Sequence, residues 1–280
     1  MPHTLFLSPH LDDVAFSCGG ALFALLAQGG DATVATVFTA SVAEPTGFAL
    51  RCQTDKGLAP SVDYMRLRRA EDEAFAEALR AALPPGAGRL RLRHGPFEEA
   101  PHRGYESPEA LFAGVRPSDD VGPSVRTWLA SLLGETDAPL LFAPQALGGH
   151  VDHVHVARAA RALLQDAGEA PPGAWYRDLP YALREPEATP CRWVPERAEE
   201  RAVPLSEAAR EAKQRGAAAY SSQLGFQFGG EKSMRETLAR FAREEGARLG
   251  AGGPAEAVRC DRTAERARRE APLMQSLTQG

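Results

Sequence analysis

One short stretch near the amino terminus places an imidazole beside two adjacent carboxylates. His10, Asp12 and Asp13 directly follow Leu5-Phe6-Leu7-Ser8-Pro9, an apolar run that ends at Ser-Pro and is typical of a buried β-strand. In open α/β sheets, ligands bind beyond the carboxyl ends of the strands. Neighbouring carboxylates point in different directions, so we expect one to bind a metal and the other to hold a proton. The simpler alternative is a turn in which an Asp caps the next helix.

A second stretch with metal-binding residue types lies far downstream. His150, Asp152 and His153 follow another strand-like apolar run at 139–143 and begin a predicted helix at 153–164. On a helix, His150 and His153 are three residues apart and lie on the same side. Asp is almost never fully buried unless it is paired, and core packing does not explain two strand ends that each carry His and Asp. The two stretches together predict a metal site.

The sequence around these motifs predicts alternating strands and helices. A helix over Val14–Gln28 and a strand over Asp31–Thr39 complete a βαβ unit with the first strand, which implies a parallel pair with a right-handed crossover. The long segment Ala40–Asp63 follows a strand end, and we expect it to form one wall of the site. Further helices are predicted over Tyr64–Leu83, Val121–Leu133, Ser206–Tyr220 and Met234–Glu245, and further strands over Arg89–Arg93 and Trp175–Leu179.

The carboxyl-terminal part differs from the rest in amino-acid composition and regularity. A Pro-rich, irregular stretch follows Leu179, and after Gly246 the glycines and charges predict a loosely held tail with at most one more helix. No convincing linker interrupts the chain. We therefore expect a single domain over 1–280, with a core at about 3–225 and a helical extension at about 226–280.

Composition excludes several classes of protein. The net charge of −5 gives no reason to expect binding to nucleic acid or to an anionic membrane. The four cysteines form no C-x-x-C pair and indicate neither a disulfide framework nor a structural zinc site. There is no leader-like amino terminus and no run of 18 apolar residues, so we expect a cytoplasmic protein.

The two motifs together resemble a known family. Pro9-His10-Leu11-Asp12-Asp13 matches P-H-x-D-D, and His150-Val151-Asp152-His153 matches H-x-D-H, the signatures of the LmbE/PIG-L-like zinc-dependent N-acetyl-sugar deacetylases. The sequence departs from the family at Leu11 and Val14, where Pro and Glu are common. The resemblance extends over about residues 3 to 225, with further similar segments at Ser17–Gly20, Arg68–Glu71, Tyr176–Tyr181 and Tyr220–Gln223.

The resemblance implies a fold and a reaction. The fold would be α/β, with a Rossmann-like, mostly parallel sheet flanked by helices and an irregular carboxyl-terminal portion. The reaction would be metal-dependent hydrolysis of an N-acetyl group on an amino sugar or glycoconjugate, releasing acetate and a free amine. The expected partner is therefore a small-molecule N-acetylated amino sugar or glycoconjugate, and a homo-oligomer is compatible with the sequence.

The resemblance also assigns roles to residues. His10, Asp13 and His153 would bind Zn²⁺, with Fe²⁺ or another divalent ion as alternatives. Asp12 would be the general base. His150 would either stabilise the oxyanion or protonate the leaving amine, and Asp152 would hold a ring nitrogen of His150 and favour its cation. The implied substrate contacts are Arg68, Glu99, Arg103 and Tyr220, although composition alone favours Arg68 and Glu71 as an exposed pair on their helix.

Three other functions compete with this one. Two His and one carboxylate also form the Fe(II) facial triad of oxygenases, which is usually carried on all-β barrels rather than on βαβ units. Dinucleotide binding is disfavoured because the first strand is followed by His-Leu-Asp-Asp and not by G-x-G-x-x-G. A non-catalytic sugar- or metal-binding protein would have no need of Asp12 as an unligated base.

Overall fold

A seven-stranded sheet forms the centre of the molecule. The computed structural model describes residues 3–136, 140–166 and 173–260. The strands are β1 (Thr4–Ser8), β2 (Ala32–Phe38), β3 (Leu90–Phe97), β4 (Leu140–Pro144), β5 (Gly173–Tyr176), β6 (Glu199–Pro204) and β7 (Ala255–Cys260). Their order across the sheet is β3-β2-β1-β4-β5-β7-β6. The first five strands in this order are parallel to one another. Strand β7 runs antiparallel to both of its neighbours, β5 and β6. The prediction of a mostly parallel α/β sheet is therefore confirmed.

The order of the strands determines where a ligand can bind. From β1 the chain proceeds outward to β2 and β3 on one side, and then returns to place β4 on the other side of β1. Such a reversal opens a crevice beyond the carboxyl ends of the two central strands. Both sequence motifs follow these two strands, so the topology brings them to the same crevice.

Helices cover both faces of the sheet. On β1, the alternation of side chains sends Phe6 to a core with α1 (Asp13–Ala27) and α3 (Tyr64–Ala82), and sends Leu5 and Leu7 to a second core on the other face. The remaining helices are α2 (Gly47–Thr54), α4 (Val121–Gly134), α5 (Val151–Asp166), α6 (Tyr181–Arg184), α7 (Glu207–Ala217), α8 (Ser221–Phe228) and α9 (Glu231–Arg248). Within the described ranges, no helix combines the length and the apolarity that crossing a lipid bilayer requires.

The prediction of a loosely held tail after Gly246 is wrong for residues 255–260. The chain instead enters the sheet as β7, paired with β5 on one side and with β6 on the other. Neither β6 nor β7 shows the alternation that marks a strand buried on one face, because β7 is buried along almost its whole length and β6 is half-buried along most of its length. Gly246, inside α9, permits the chain to pass close to this helix on its way to β7, since a Cβ there would lie 1.8 Å from the carbonyl oxygen of Gly253. Residues 261–280 of the predicted extension lie outside the described residues.

A buried ion pair fastens β7 to α7, and the same Glu256 carboxylate also joins β7 to α1, the helix that follows the first motif. The Lys213 Nζ and a Glu256 carboxylate oxygen are 2.6 Å apart, and both side chains are nearly inaccessible to solvent. The same carboxylate accepts hydrogen bonds from the backbone N–H groups of Gly20 and Ala21. These groups follow Cys18, where α1 has non-helical backbone angles, so Glu256 caps the second part of an interrupted helix.

We therefore predict that Glu256→Ala destabilises the protein strongly. The change leaves the Lys213 ammonium buried without a counter-ion, which typically costs about 3–5 kcal/mol of unfolding free energy. The double variant Lys213→Met/Glu256→Leu removes both charges and should be more stable than Glu256→Ala. Urea unfolding monitored by circular dichroism measures both. Equal stability of Glu256→Ala and the wild type would show that the pair does not anchor β7.

Candidate active site

The first motif occupies a strained turn between β1 and α1. Asp12 has φ 141° and ψ −25°, a backbone region that an L-residue rarely adopts. Its side chain makes no hydrogen bond to the first turn of α1, so it is not a helix cap. Strain of this kind is tolerated only when the surrounding structure fixes it, and it is concentrated at functional sites. The turn directs the side chains of His10, Asp12 and Asp13 into the crevice.

Three side chains from the two motifs converge on one point. Asp13 Oδ2 lies 3.4 Å from His10 Nδ1 and 3.3 Å from His153 Nε2. These distances are longer than the usual N–H···O hydrogen bond. They match the edge of a tetrahedron with bonds of about 2.0–2.1 Å, the geometry in which zinc binds nitrogen and oxygen. His153 Nε2 is fully buried and has no hydrogen-bond partner among the described residues, so it is available to a metal.

The far side of each imidazole is held by a carboxylate. His10 Nε2 donates to Asp152 Oδ2 at 2.9 Å, and His153 Nδ1 donates to Asp178 Oδ1 at 2.6 Å. Each donation fixes the orientation of the ring and directs the opposite nitrogen toward Asp13, where that nitrogen can exchange its proton for a cation. Metal-binding histidines almost always donate their other ring N–H to a carboxylate, a backbone carbonyl or water, and here both do so to a carboxylate. The residues present therefore fit a divalent cation.

The electrostatics of the three side chains also favour a cation. Burial lowers the pKa of His153, but the carboxylates of Asp13 and Asp178 outweigh it and raise that pKa to about 9. Burial alone would raise the pKa of Asp13, but the neighbouring imidazoles hold it well below its usual range. The site thus keeps a carboxylate ionised and attracts positive charge, as a metal-binding site must.

A second set of ligand atoms overlaps the first. His10, His150 and Asp152 each bring one ligand atom within 4.8 Å of the others. Both carboxylate oxygens of Asp152 are already engaged, one by Arg103 and the other by His10 and the N–H of Ala100. The set formed by His10, Asp13 and His153 is therefore the better metal site.

Asp178 is a site residue that the sequence did not identify. It follows β5 and reaches His153 from the neighbouring strand end. The only signal was the resemblance of the segment 176–181 to the family, which assigned no role to this carboxylate. An acidic residue two positions beyond a predicted parallel strand at the same sheet edge would have been the physical argument for it.

Asp12 lies beside the candidate metal site formed by His10, Asp13 and His153 without belonging to it. Its Oδ2 is 3.3 Å from Arg68 Nη2, and both side chains are largely buried. Burial raises the pKa of Asp12, Arg68 opposes this, the charge of Asp13 adds to it, and the resulting pKa is about 7. Arg68 also donates to Glu99 Oε1 at 2.7 Å and to the Leu11 carbonyl oxygen at 2.5 Å.

The prediction of an exposed Arg68–Glu71 pair from composition is wrong. Arg68 is only 4% exposed and lines the cavity together with Glu99. Glu71 faces α8 instead, where its carboxylate accepts hydrogen bonds from Ser221 and from the N–H and hydroxyl of Ser222. Helix α3 thus directs Arg68 into the cavity and Glu71 toward α8, which forms part of the cavity wall.

His150 lines the same cavity, but its partner differs from the predicted one. Its Nδ1 accepts a hydrogen bond from the backbone N–H of Asp152 at 3.2 Å. The proton of the neutral ring is therefore on Nε2. That nitrogen has no hydrogen-bond partner among the described residues. Burial lowers the pKa of His150 to about 3, so Asp152 does not make it a cation. The expectation that the Asp152 carboxylate holds His150 is wrong, because that carboxylate binds His10.

Arg103 does not reach the cavity, contrary to expectation. Its guanidinium bridges Asp152 at 2.7 Å and Asp119 at 3.1 Å and lies over the ring of Phe38. Asp119 also accepts hydrogen bonds from Tyr105 and His155. Arg103 thus neutralises two buried carboxylates behind His10, and it supports the site instead of contacting a substrate.

Tyr220 is also outside the cavity. Its hydroxyl donates to Asp72 Oδ1 at 2.5 Å, and its ring packs against Phe16 and Phe75 in the core. Asp72 is held on its other oxygen by His94. The sequence placed Tyr220 near the site by resemblance, whereas the side chain joins α3 to the start of α8.

The cavity that contains these groups has a volume of about 310 Å³. One wall comes from the segment 47–56, as expected for the loop after β2. A wider depression of about 590 Å³ lies between residues 42–51 and 101–106, but within the described ranges it gathers no set of metal-type ligands. The cavity walls are rich in aromatic rings, namely Phe16, Phe48, Tyr64, Phe112, Tyr181 and Phe226.

The fold and site define an open α/β protein with a buried His–Asp–His set at the crevice of its parallel sheet. Comparison with known proteins gives the family. Residues 5–164 match the PIG-L family, described as GlcNAc-PI de-N-acetylase. The chain belongs to this family.

Relatives and solved structures agree with this assignment. The 2'-N-acetylparomamine deacetylase of Streptomyces fradiae is 34% identical over 256 residues, which cover 90% of this chain and 82% of the relative. The zinc-inhibited form of teicoplanin deacetylase Orf2 superimposes with a TM-score of 0.76 at 27% identity, covering 92% of this chain and 97% of that one. The A40926 pseudoaglycone deacetylase Dbv21 gives 0.75 at 27% identity, with coverages of 92% and 96%.

We predict that the metal content of the purified protein depends on the three converging side chains. His10→Ala and His153→Ala should lose the ion, because each removes a nitrogen that nothing else replaces. Asp178→Asn should keep the ion but bind it about 10–100-fold more weakly, since it disturbs only the carboxylate behind His153. Elemental analysis and chelator competition measure both effects. His102→Ala is the control, because His102 lies outside the cavity; full metal content in both ligand variants would contradict the assignment.

Proposed function

We propose that this protein is a metal-dependent hydrolase that removes an N-acetyl group from an amino sugar or glycoconjugate, with Zn²⁺ as the best-fitting ion and Fe²⁺ or another divalent ion as alternatives. The observation that carries the proposal is a carboxylate, Asp12, that lies beside the His–Asp–His set in one cavity without being part of it. Binding needs no such group, whereas hydrolysis needs a base. The activities named for the relatives support the acetyl-sugar substrate.

The metal is expected to be held by His10, Asp13 and His153. Three protein ligands leave an open position, which distinguishes a catalytic site from a structural one. When bound there, a divalent ion polarises a carbonyl oxygen and lowers the pKa of water toward about 7. Asp152 and Asp178 keep the two imidazoles oriented with the correct nitrogens toward the ion.

Asp12 is proposed to act as the base of the reaction. It takes a proton from the water whose oxygen attacks the acetyl carbon. As the C–N bond breaks, Asp12 gives the proton that it took from the water to the amine nitrogen, which leaves as the free amine, and acetate is the other product. Arg68 holds Asp12 in place through the 3.3 Å ion pair and also binds Glu99, so both carboxylates are fixed at the cavity wall.

His150 is proposed to stabilise the negative charge that develops on the acetyl oxygen. The hydrogen bond from the Asp152 N–H to Nδ1 leaves Nε2–H as a neutral donor beside the cavity. A neutral imidazole can donate a hydrogen bond to the oxyanion and keep its proton, whereas protonation of the amine would require it to lose that proton. The geometry therefore favours oxyanion stabilisation. Donors of this kind typically contribute about 10²–10³-fold to turnover.

Two competing functions have weaker support. A non-haem Fe(II) enzyme would use the same ligand set, but it would not need Asp12 next to the ligands. A non-catalytic binding protein would have no reason to keep Asp12 in a strained conformation with φ 141°. Acetate release separates hydrolysis from both alternatives.

We expect the purified protein to release acetate and a free amine from N-acetylated amino sugars, and Asp12→Asn to abolish most of this activity. Loss of a general base lowers turnover by about 10²–10⁴-fold. The variant should retain its fold and its metal. Asp120→Asn, which removes an exposed carboxylate outside this cavity, is the matched control and should stay close to wild type. Wild-type turnover in Asp12→Asn would remove Asp12 from the mechanism.

A further inference from the structure

Two exposed aromatic side chains mark the mouth of the cavity. Among the large hydrophobic side chains of the described residues, only Phe112 and Phe226 are exposed, at 41% and 57%. Single exposed apolar residues are ordinary on a protein surface. Here, however, both line the same cavity, the one that contains His10 and Asp12. Exposed apolar groups at a polar cleft are typical of ligand contacts.

The two rings lie on different parts of the cavity wall. The Phe112 ring centroid is 5.4 Å from that of His150 and 5.8 Å from that of Tyr181, so Phe112 borders the reacting groups. Phe226 has no ring contact with any of these three. It faces Lys56, whose Nζ lies 4.9 Å from the Phe226 centroid. Phe226 therefore belongs to an outer part of the cavity.

The outer wall is rigidly supported. Lys56 Nζ donates to the Cys52 carbonyl oxygen at 2.5 Å and lies 5.3 Å from the ring of Tyr64. The helix α8, which carries Phe226, is fixed at its start by the three hydrogen bonds that Glu71 accepts. Near its end, Gln227 accepts a hydrogen bond from Arg184 at 2.7 Å. The backbone that carries Phe226 is thus held in position before a ligand arrives, which lowers the cost of binding.

We propose that Phe226, on α8, forms an outer subsite for a second ring attached to the N-acetylated amino sugar. This inference rests on the proposed deacetylase function. The amino sugar would lie between the candidate metal site and Phe112, and the ring linked to this sugar would extend to Phe226. The shared chemistry is a ring with an apolar face that can pack on Phe226, which is either another sugar or an aromatic aglycone. Lys56 and Arg184 border the same part of the cavity and offer hydrogen-bond donors to the polar edges of such a ring.

The test compares probes with one ring and with two. N-acetylglucosamine has one ring, N,N'-diacetylchitobiose adds a sugar, and 4-nitrophenyl N-acetyl-β-glucosaminide adds an aromatic ring. In Phe226→Ala, the ratio of two-ring to one-ring kcat/KM should fall by about 3- to 10-fold, mainly through KM, the size of one aromatic stacking contact. Phe226→Tyr should restore the ratio. A loss confined to the chitobiose probe identifies a sugar, and a loss confined to the nitrophenyl probe identifies an aromatic aglycone.

The Phe112→Ala variant is the comparison, because Phe112 borders His150 and should affect all three probes alike. An unchanged ratio in Phe226→Ala, or an equal loss with N-acetylglucosamine, would overturn the subsite. Calorimetric binding of the same probes to Asp12→Asn, with and without Phe226→Ala, separates this inference from the proposed function. If no probe is hydrolysed by the wild type but two-ring binding still requires Phe226, the deacetylase proposal fails and the subsite stands. If Phe226 changes no affinity, the subsite fails.

Discussion

Burial of several carboxylates at one sheet edge is the constraint on which the rest of the structure depends. Asp13, Asp152 and Asp178 are all buried within reach of two imidazoles at the crevice between β1 and β4. Charged groups are tolerated in such a place only if they are paired and hydrogen-bonded. The imidazoles compensate part of this charge, and the geometry of Asp13 between His10 and His153 leaves room for a cation to compensate the rest.

The remaining charges around the crevice follow from the same requirement. Arg103 neutralises Asp152 and Asp119 from behind, and Arg68 neutralises Asp12 and Glu99 from the side. Each arginine therefore holds two buried carboxylates at fixed positions. The consequence for function is orientation: Asp152 orients His10, and Asp12 is held beside the His10–Asp13–His153 set without belonging to it.

Much of this arrangement could be predicted from the sequence, and the predictions that were wrong or missing have common causes. Apolar runs that end at His and Asp predicted β1, β4 and the converging ligands, because parallel strands deliver their carboxyl ends to one edge. Asp178 and the true partner of Asp152 were missed, since hydrogen bonds between distant segments depend on side-chain directions that spacing does not encode. Strand β7 was missed because its burial comes from pairing with β5 and β6, and local composition there resembles a loop. Arg103 and Tyr220 were placed by resemblance, which locates a neighbourhood but not the direction of a side chain.

The central claim is that the His10–Asp13–His153 set acts through a bound divalent ion on an N-acetyl group. The most direct measurement is acetate release from an N-acetylated amino sugar by protein stripped with a chelator and then titrated with Zn²⁺, Fe²⁺ or other divalent ions. The account predicts that stripping removes activity and that about one equivalent of a suitable ion per chain restores it, as expected for a single catalytic site. Full acetate release by protein shown to be metal-free would contradict it.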